Sequence, residues 1–189
     1  MSSVILTGDT SGTLTVSAPL VAGSNTVTLP AATGTISLLT QATSVTASGT
    51  SVDFTGIPSW VKRITVMFDG VSTNGSSLVQ VQLGDSGGIE NTGYLSSGSI
   101  GTSFTQSNLT SGFNVDNSAS ASGVRSLVGT LVNVSGNAWV WGSVGTGTGF
   151  TCVAGGSKSL SATLDRIRIT TVNGTDTFDA GSINIMYEG

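Results

Sequence analysis

The sequence predicts an all-β protein: a short N-terminal β-strand anchoring module followed by an antiparallel β-sandwich of jelly-roll type. Three observations predict it. Apolar residues recur with a period of two, as in Ile64, Val66 and Phe68 around Thr65 and Met67, and in Val79, Val81 and Leu83 around Gln80 and Gln82. These runs are short, are separated by Gly, Asn and Ser, and nowhere show the 3.6-residue period of a helix. The composition suits an ordered chain with a neutral surface: 189 residues, 38% hydrophobic, 8% charged, 27 Gly and a net charge of -4. Disordered chains combine low hydrophobicity with high net charge.

The same composition excludes several functions. Six basic residues and a pI near 4.3 leave no electrostatic footprint for nucleic acid, which binds through Lys and Arg on phosphates. A single cysteine, Cys152, with 0 His gives neither a disulfide framework nor a zinc site, and is expected as a small core residue. No cofactor is expected. Arg166 and Arg168, two apart, share one strand face and are expected to be solvated or subunit-facing. No long apolar run indicates membrane insertion, and the N-terminal residues do not read as an export signal.

Residues 1–40 read as very short strands at 12–17, 25–29 and 34–38, broken by Gly and Pro. Leu14 and Val16, Val27 and Leu29, and Ile36 and Leu38 offer each strand one or two apolar side chains, too few for an isolated hairpin. The segment therefore needs a partner, and these six residues are the candidates for anchoring or oligomer contacts. Its elements are GDTSGTLTVSAP at 8–19 and AGSNTVTLPAATGT at 22–35. They resemble the GxxSGTxTVxAP and AGxNTxTLPAxTGT elements of a module near the N-termini of many tailed-bacteriophage virion proteins.

Residues 41–51 are rich in Ser and Thr and read as a linker or edge strand, leaving 52–189 as the sandwich domain. The runs at 64–68 and 79–83, joined by a Gly/Asn/Ser-rich segment, predict a hairpin. Further strands are expected at 89–95, 124–134, 138–144, 164–171 and 183–188, with 127–134 and 138–144 paired through Ser135-Gly136-Asn137. Ile64, Val66, Phe68, Trp139, Trp141, Ile183 and Ile185 are the core or interface candidates. Trp139 and Trp141 face one side, where filling a core is favoured over stacking on sugar. The polar stretch 96–122 reads as a long loop, with Phe104, Asn108, Phe113 and Asp116 as candidates for surface recognition. Gly145 to Phe150 lacks the helix and lysine of a phosphate cradle and reads as a loop. The FTGIP opening at 54–58 with the following strands, and SINIMYE at 182–188, resemble the C-terminal domains of phage fibre-like proteins.

Gly84-Asp85-Ser86-Gly87-Gly88 reproduces the GDSGG pentapeptide around the nucleophilic serine of chymotrypsin-like proteases. A serine needs a positioned base, normally His, of which the chain has 0, and no motif links Lys62 or Lys158 to Ser86 in its place. A turn leaving a strand accounts for the string. Asp176 and Asp179 flank a turn-like segment and are expected to hydrogen-bond backbone there. The chain is therefore expected not to be an enzyme. The resemblances imply a structural virion protein, a fibre or knob contacting the host surface, located in the virion and assembled in the host cytoplasm. The alternatives are a capsid decoration protein and a stand-alone carbohydrate-binding module. A dependent N-terminal segment and a charge-poor domain, together with the resemblance, point to a homotrimer. The expected partners are the protein itself, other virion proteins and a host glycan.

Overall fold

A computed structural model describes residues 3–7, 11–17, 31, 37–101 and 106–189, without the side chains of Ser3, Leu14 and Gln106. Val27, Leu29, Ile36 and Phe104, the Leu14 side chain and the strand expected at 25–29 lie outside the described residues. All elements among them are strands. The chain divides into two compact units, Met1–Ile36 and Ser37–Gly189.

In the first unit, β1 (Ser3–Thr7) pairs antiparallel with β2 (Thr13–Ser17), Val4 opposite Val16. Gly12, at φ 81, takes the left-handed conformation that the reversal into β2 uses. Val4, Ile5, Leu6 and Val16 are exposed, and among the described residues of this unit no second layer covers the two strands.

The second unit is a sandwich of two antiparallel sheets. Its strands are β3 (Leu39–Gln41), β4 (Val45–Thr46), β5 (Ser51–Thr55), β6 (Arg63–Thr73), β7 (Val79–Asp85), β8 (Gly88–Ile89), β9 (Leu95–Ile100), β10 (Gln106–Leu109), β11 (Phe113–Asn114), β12 (Arg125–Ser135), β13 (Ala138–Gly147), β14 (Phe150–Ser159), β15 (Arg166–Thr171) and β16 (Phe178–Glu188). The large sheet has the order β10-β9-β14-β13-β12-β6-β16-β3, with β4 also on β16. The small sheet has the order β11-β7-β15-β5, with β8 on β7. β3 and β4 pair along β16, so the stretch 41–51, expected as a linker or edge strand, contributes edge strand, and Leu39 and Thr40, assigned to the N-terminal arm, belong to the large sheet.

One apolar cluster fills the sandwich. Ile64, Val66 and Phe68 of β6, Trp139 and Trp141 of β13, and Ile183 and Ile185 of β16 are all buried in it. Val79, Val81 and Leu83 of β7, with Ile167 and Ile169 of β15, join it from the small sheet. Burying one such side chain contributes roughly 1.5–3 kcal/mol. Phe113 is fully buried, its ring stacked 5.9 Å from Trp141 and edge-on at 5.0 Å to Tyr94.

The hairpin expected from the runs at 64–68 and 79–83 does not form. β6 lies between β12 and β16 in the large sheet, whereas β7 lies between β11 and β15 in the small one. Alternation specifies a buried face but not a partner, and β6 runs on to Thr73, so that the short link at 74–78 carries the chain between layers. Bulges in the β6–β12 and β6–β16 ladders accompany that departure. There Gly181 lies against Gly70, where a Cβ would overlap the Gly70 backbone.

The strand expected at 89–95 is also displaced. Only Gly88–Ile89 pairs with β7, and the chain resumes as a strand at β9.

Candidate functional site

GDSGG forms a tight hairpin between β7 and β8. Asp85 pairs with Gly88 across the turn, and Asp85 Oδ1 accepts a 2.7 Å hydrogen bond from the Gly87 N–H. Gly88 takes φ 126, and a Cβ on Gly84 would overlap the Gly88 carbonyl, so the turn itself uses these glycines. Ser86 is exposed at its tip.

Beside this turn, Ser161 Oγ donates to Asp85 Oδ2 at 2.7 Å, and the Ser161 N–H donates to Glu90 Oε1 at 2.7 Å. Lys158 Nζ pairs with Glu90 Oε2 at 2.5 Å and sits 5.3 Å from the centre of the Tyr94 ring. Hydrogen bonds from Ser161 and Gly87 hold the Asp85 carboxyl below its ordinary range. Burial acts to raise Glu90, but hydrogen bonds from Lys158 and Ser161 outweigh it and leave the carboxyl lowered. Burial pushes the Tyr94 phenol up, and its hydroxyl donates to the Glu90 carbonyl at 2.9 Å and accepts from the Leu83 N–H at 2.7 Å. This network joins β7, β14 and the segment after each, and every ionised member has a partner.

The stretch 96–122 is not a long recognition loop. It contains β9 and β10, paired as an edge hairpin, and then β11, which carries the chain into the small sheet. Phe113 and Asp116, expected at its surface, are both buried. Phe113 fills the core, and Asp116 Oδ2 accepts from Arg125 Nε at 2.6 Å, both side chains having no exposure. Burial raises the Asp116 carboxyl, with Arg125 opposing it. Among the described members of the set, Asn108 is the exposed one. The Asn114 side chain donates to Ser107, and its Oδ1 has no partner.

Trp139 and Trp141 are buried, and Trp141 Nε1 donates to the Asn114 carbonyl at 2.9 Å, so neither offers a sugar platform. Cys152 is buried and free, its thiol pushed up to about 11 by burial. Arg168 makes two 2.7 Å hydrogen bonds to Asp53, and Arg166 holds its neighbour Asp165 at 2.6 and 3.0 Å. Asp176 ties the 173–177 turn to the β6–β7 link through Ser77, and Asp179 accepts from Ser72. The loop expected from Gly145 to Phe150 is mostly strand: Gly145 to Gly147 end β13, Phe150 opens β14, and only Thr148 and Gly149 make the turn, with Gly149 at φ 79. Leu38 is exposed, as is Val16.

The outward side of the small sheet forms a polar concavity, which sequence reasoning did not single out. Gln80, Gln82, Ser111, Arg168, Thr170 and Asn173 surround a shallow cleft of about 300 Å³. Ser111 Oγ donates to Gln80 Oε1 at 2.8 Å, and Gln82 Nε2 donates to the Ser111 carbonyl at 2.9 Å. The cleft thus presents amides and hydroxyls around one neutralised Arg–Asp pair, which suits a neutral polyhydroxyl ligand better than an anion. Its only sequence signal was the Gln80/Gln82 and Arg166/Arg168 spacing. Among the described residues no group of acidic, Cys or His side chains could hold a metal, and no known protein family, curated protein or solved structure matches the chain.

Proposed function

We propose that this chain is a structural component of a tailed-bacteriophage virion, a fibre or knob appendage. In it three jelly-roll-like sandwiches stand together and an N-terminal arm holds them on the particle. The observation that carries the proposal is the β1–β2 hairpin, which presents Val4, Ile5, Leu6 and Val16 to solvent ahead of a sandwich with its own core. Apolar side chains arranged in that way call for a partner surface. The phage motifs at 8–19, 22–35, 54–58 and 182–188 supply the context. No catalytic task enters this reading, because the sequence offers no base for Ser86. The polar cleft of the small sheet supplies hydrogen-bonding groups for a host-surface glycan.

The same hairpin supports a second reading, a decoration protein whose arm clamps capsid subunits. Immuno-electron microscopy of intact particles separates the two. Label at the tail supports the appendage, label over the head supports decoration, and particles without label overturn both. Deletion of residues 1–36 is expected to abolish incorporation. Wild-type occupancy by the deleted protein would remove the anchoring role.

A further inference from the structure

Among the described residues of the second unit, nothing forms a second layer on the outward side of the large sheet, and its register builds a relief there. Val128, Val144 and Val153 are directly opposite one another on β12, β13 and β14 and form one apolar ridge. Four residues along the strands, Val132 and Val140 begin a second row that passes through Ser157 on β14 and ends at Leu95 on β9. The apolar members are all exposed, Val144 by 64%, Val153 by 57% and Leu95 by 75%. Between the ridge and this row Gly142 and Gly155 are paired and leave a trough.

Those two glycines have no use inside the fold. Neither takes a positive φ. A Cβ on Gly142 would meet nothing within 4 Å, and one on Gly155 would make only ordinary contact with the Trp141 carbonyl at 3.5 Å. On the inward side of the same sheet the case differs, since a Cβ on Gly129 or Gly145 would overlap Trp141 or Leu127. Glycine weakens a strand interior, and where the fold does not need it, it marks the close approach of another backbone.

We propose that this ridged face is the surface through which copies of the chain join. A second copy is the occupant that the charge distribution favours. Between the Arg63–Glu188 pair at one rim and Asp69 near the opposite end, the face carries no charged side chain among the described residues. Two chains of net charge -4 can therefore meet here without burying like charges, while a charged partner finds no counterpart. The relief is complementary head to tail, because the ridge of one copy fits the glycine trough of the next, and such a contact closes around a three-fold axis. At ~4.8 Å between strands and ~3.3 Å per residue the face spans on the order of 600 Å² before side-chain relief is counted. A standard interface takes roughly 800 Å² from each partner. The inference rests on the trimeric assembly proposed above only for the number of copies.

The test uses the full chain and measures its mass by light scattering at micromolar concentration, with circular dichroism to report the fold. Wild type is expected at three times the 18.8 kDa chain mass. Val144→Asp places a charge on the ridge and Gly142→Val fills the trough, and each is expected to give a folded monomer. Gly142→Val introduces a strand-favouring residue into open space, so it keeps the test alive if Val144→Asp fails to fold. Dissociation of a wild-type oligomer of any order by these variants supports the interface. If folded variants keep the wild-type mass, the interface is overturned while the oligomer stands. A monomeric wild type overturns both.

Discussion

Arg125 is the largest side chain with no exposure, and one short segment satisfies it: Asp116 takes Nε, the Gly123 carbonyl takes Nη1 at 3.0 Å and the Ser118 carbonyl takes Nη2 at 2.6 Å. The guanidinium thereby fixes 116–123, a polar segment with few apolar anchors of its own. Removing one member of a buried pair strands the other charge, which costs about 3–5 kcal/mol. Arg125→Met is therefore expected to lower unfolding stability by that amount in urea titrations. Adding Asp116→Asn should cost less than the two single changes together, because the stranded charge is gone. Ser86 belongs to this scale too. Exposed at a turn and without an imidazole anywhere in the chain, it should not react with a fluorophosphonate probe, as mass spectrometry of the treated protein would show.

Among the elements, neighbouring glycines make opposite predictions. Gly129→Ala drives a methyl into the Trp141 indole, and overpacking of this kind costs typically about 1–3 kcal/mol. Gly142→Ala points into open space, so it should leave the melting temperature of the isolated fold unchanged or raised. Differential scanning calorimetry of the two variants checks the contrast. Such positions also explain what the sequence could reveal. The strands β6, β12, β13, β15 and β16 were legible because Ile, Leu, Val, Phe and Trp alternate along their inward faces. Neither β14 nor β9 was legible. The inward faces of these strands use Cys152, Gly156 and Lys158, and Ser96 and Gly98, while Phe113 fills the space beside Gly156. Alternation also could not say that β6 and β7 belong to different layers, since either partner satisfies the same buried face. In the candidate cleft, Gln80 and Gln82 read as ordinary outward residues, and only the fold brings Ser111 over them.

Over the whole molecule, stability should depend on both pH and the extent of the N-terminal part. Asp85, Glu90, Asp165 and Asp176 have folded-state carboxyls below their ordinary values of 3.8 for Asp and 4.5 for Glu. Groups lowered by folding stabilise the fold above those values and lose that contribution as pH falls through them. Asp116 is raised and acts in the opposite sense, but it stands alone against four. The urea midpoint is therefore expected to fall between about pH 6 and about pH 3. Added salt should flatten the slope, because these carboxylates are mostly near solvent. The boundary between units makes a separate prediction. Cutting after Ile36 should leave the thermal midpoint of the sandwich intact. Cutting after Gln41 also removes β3 from β16 and should lower it, which paired melting curves would show.

The placement of β16 has a consequence for how the protein is made. It follows every other strand in sequence, yet it lies inside the large sheet, between β6 and β3, and contributes Ile183 and Ile185 to the core. During synthesis the ribosome must deliver nearly the whole sandwich before β6, already beside β12, acquires its second neighbour. Until then the nascent chain carries an open sheet margin with unpaired amides, the kind of edge that recruits other chains. Neighbouring polysomes therefore hold unfinished subunits competent to pair wrongly. Delivery of β16, rather than local collapse, sets the moment at which the sandwich becomes safe to assemble.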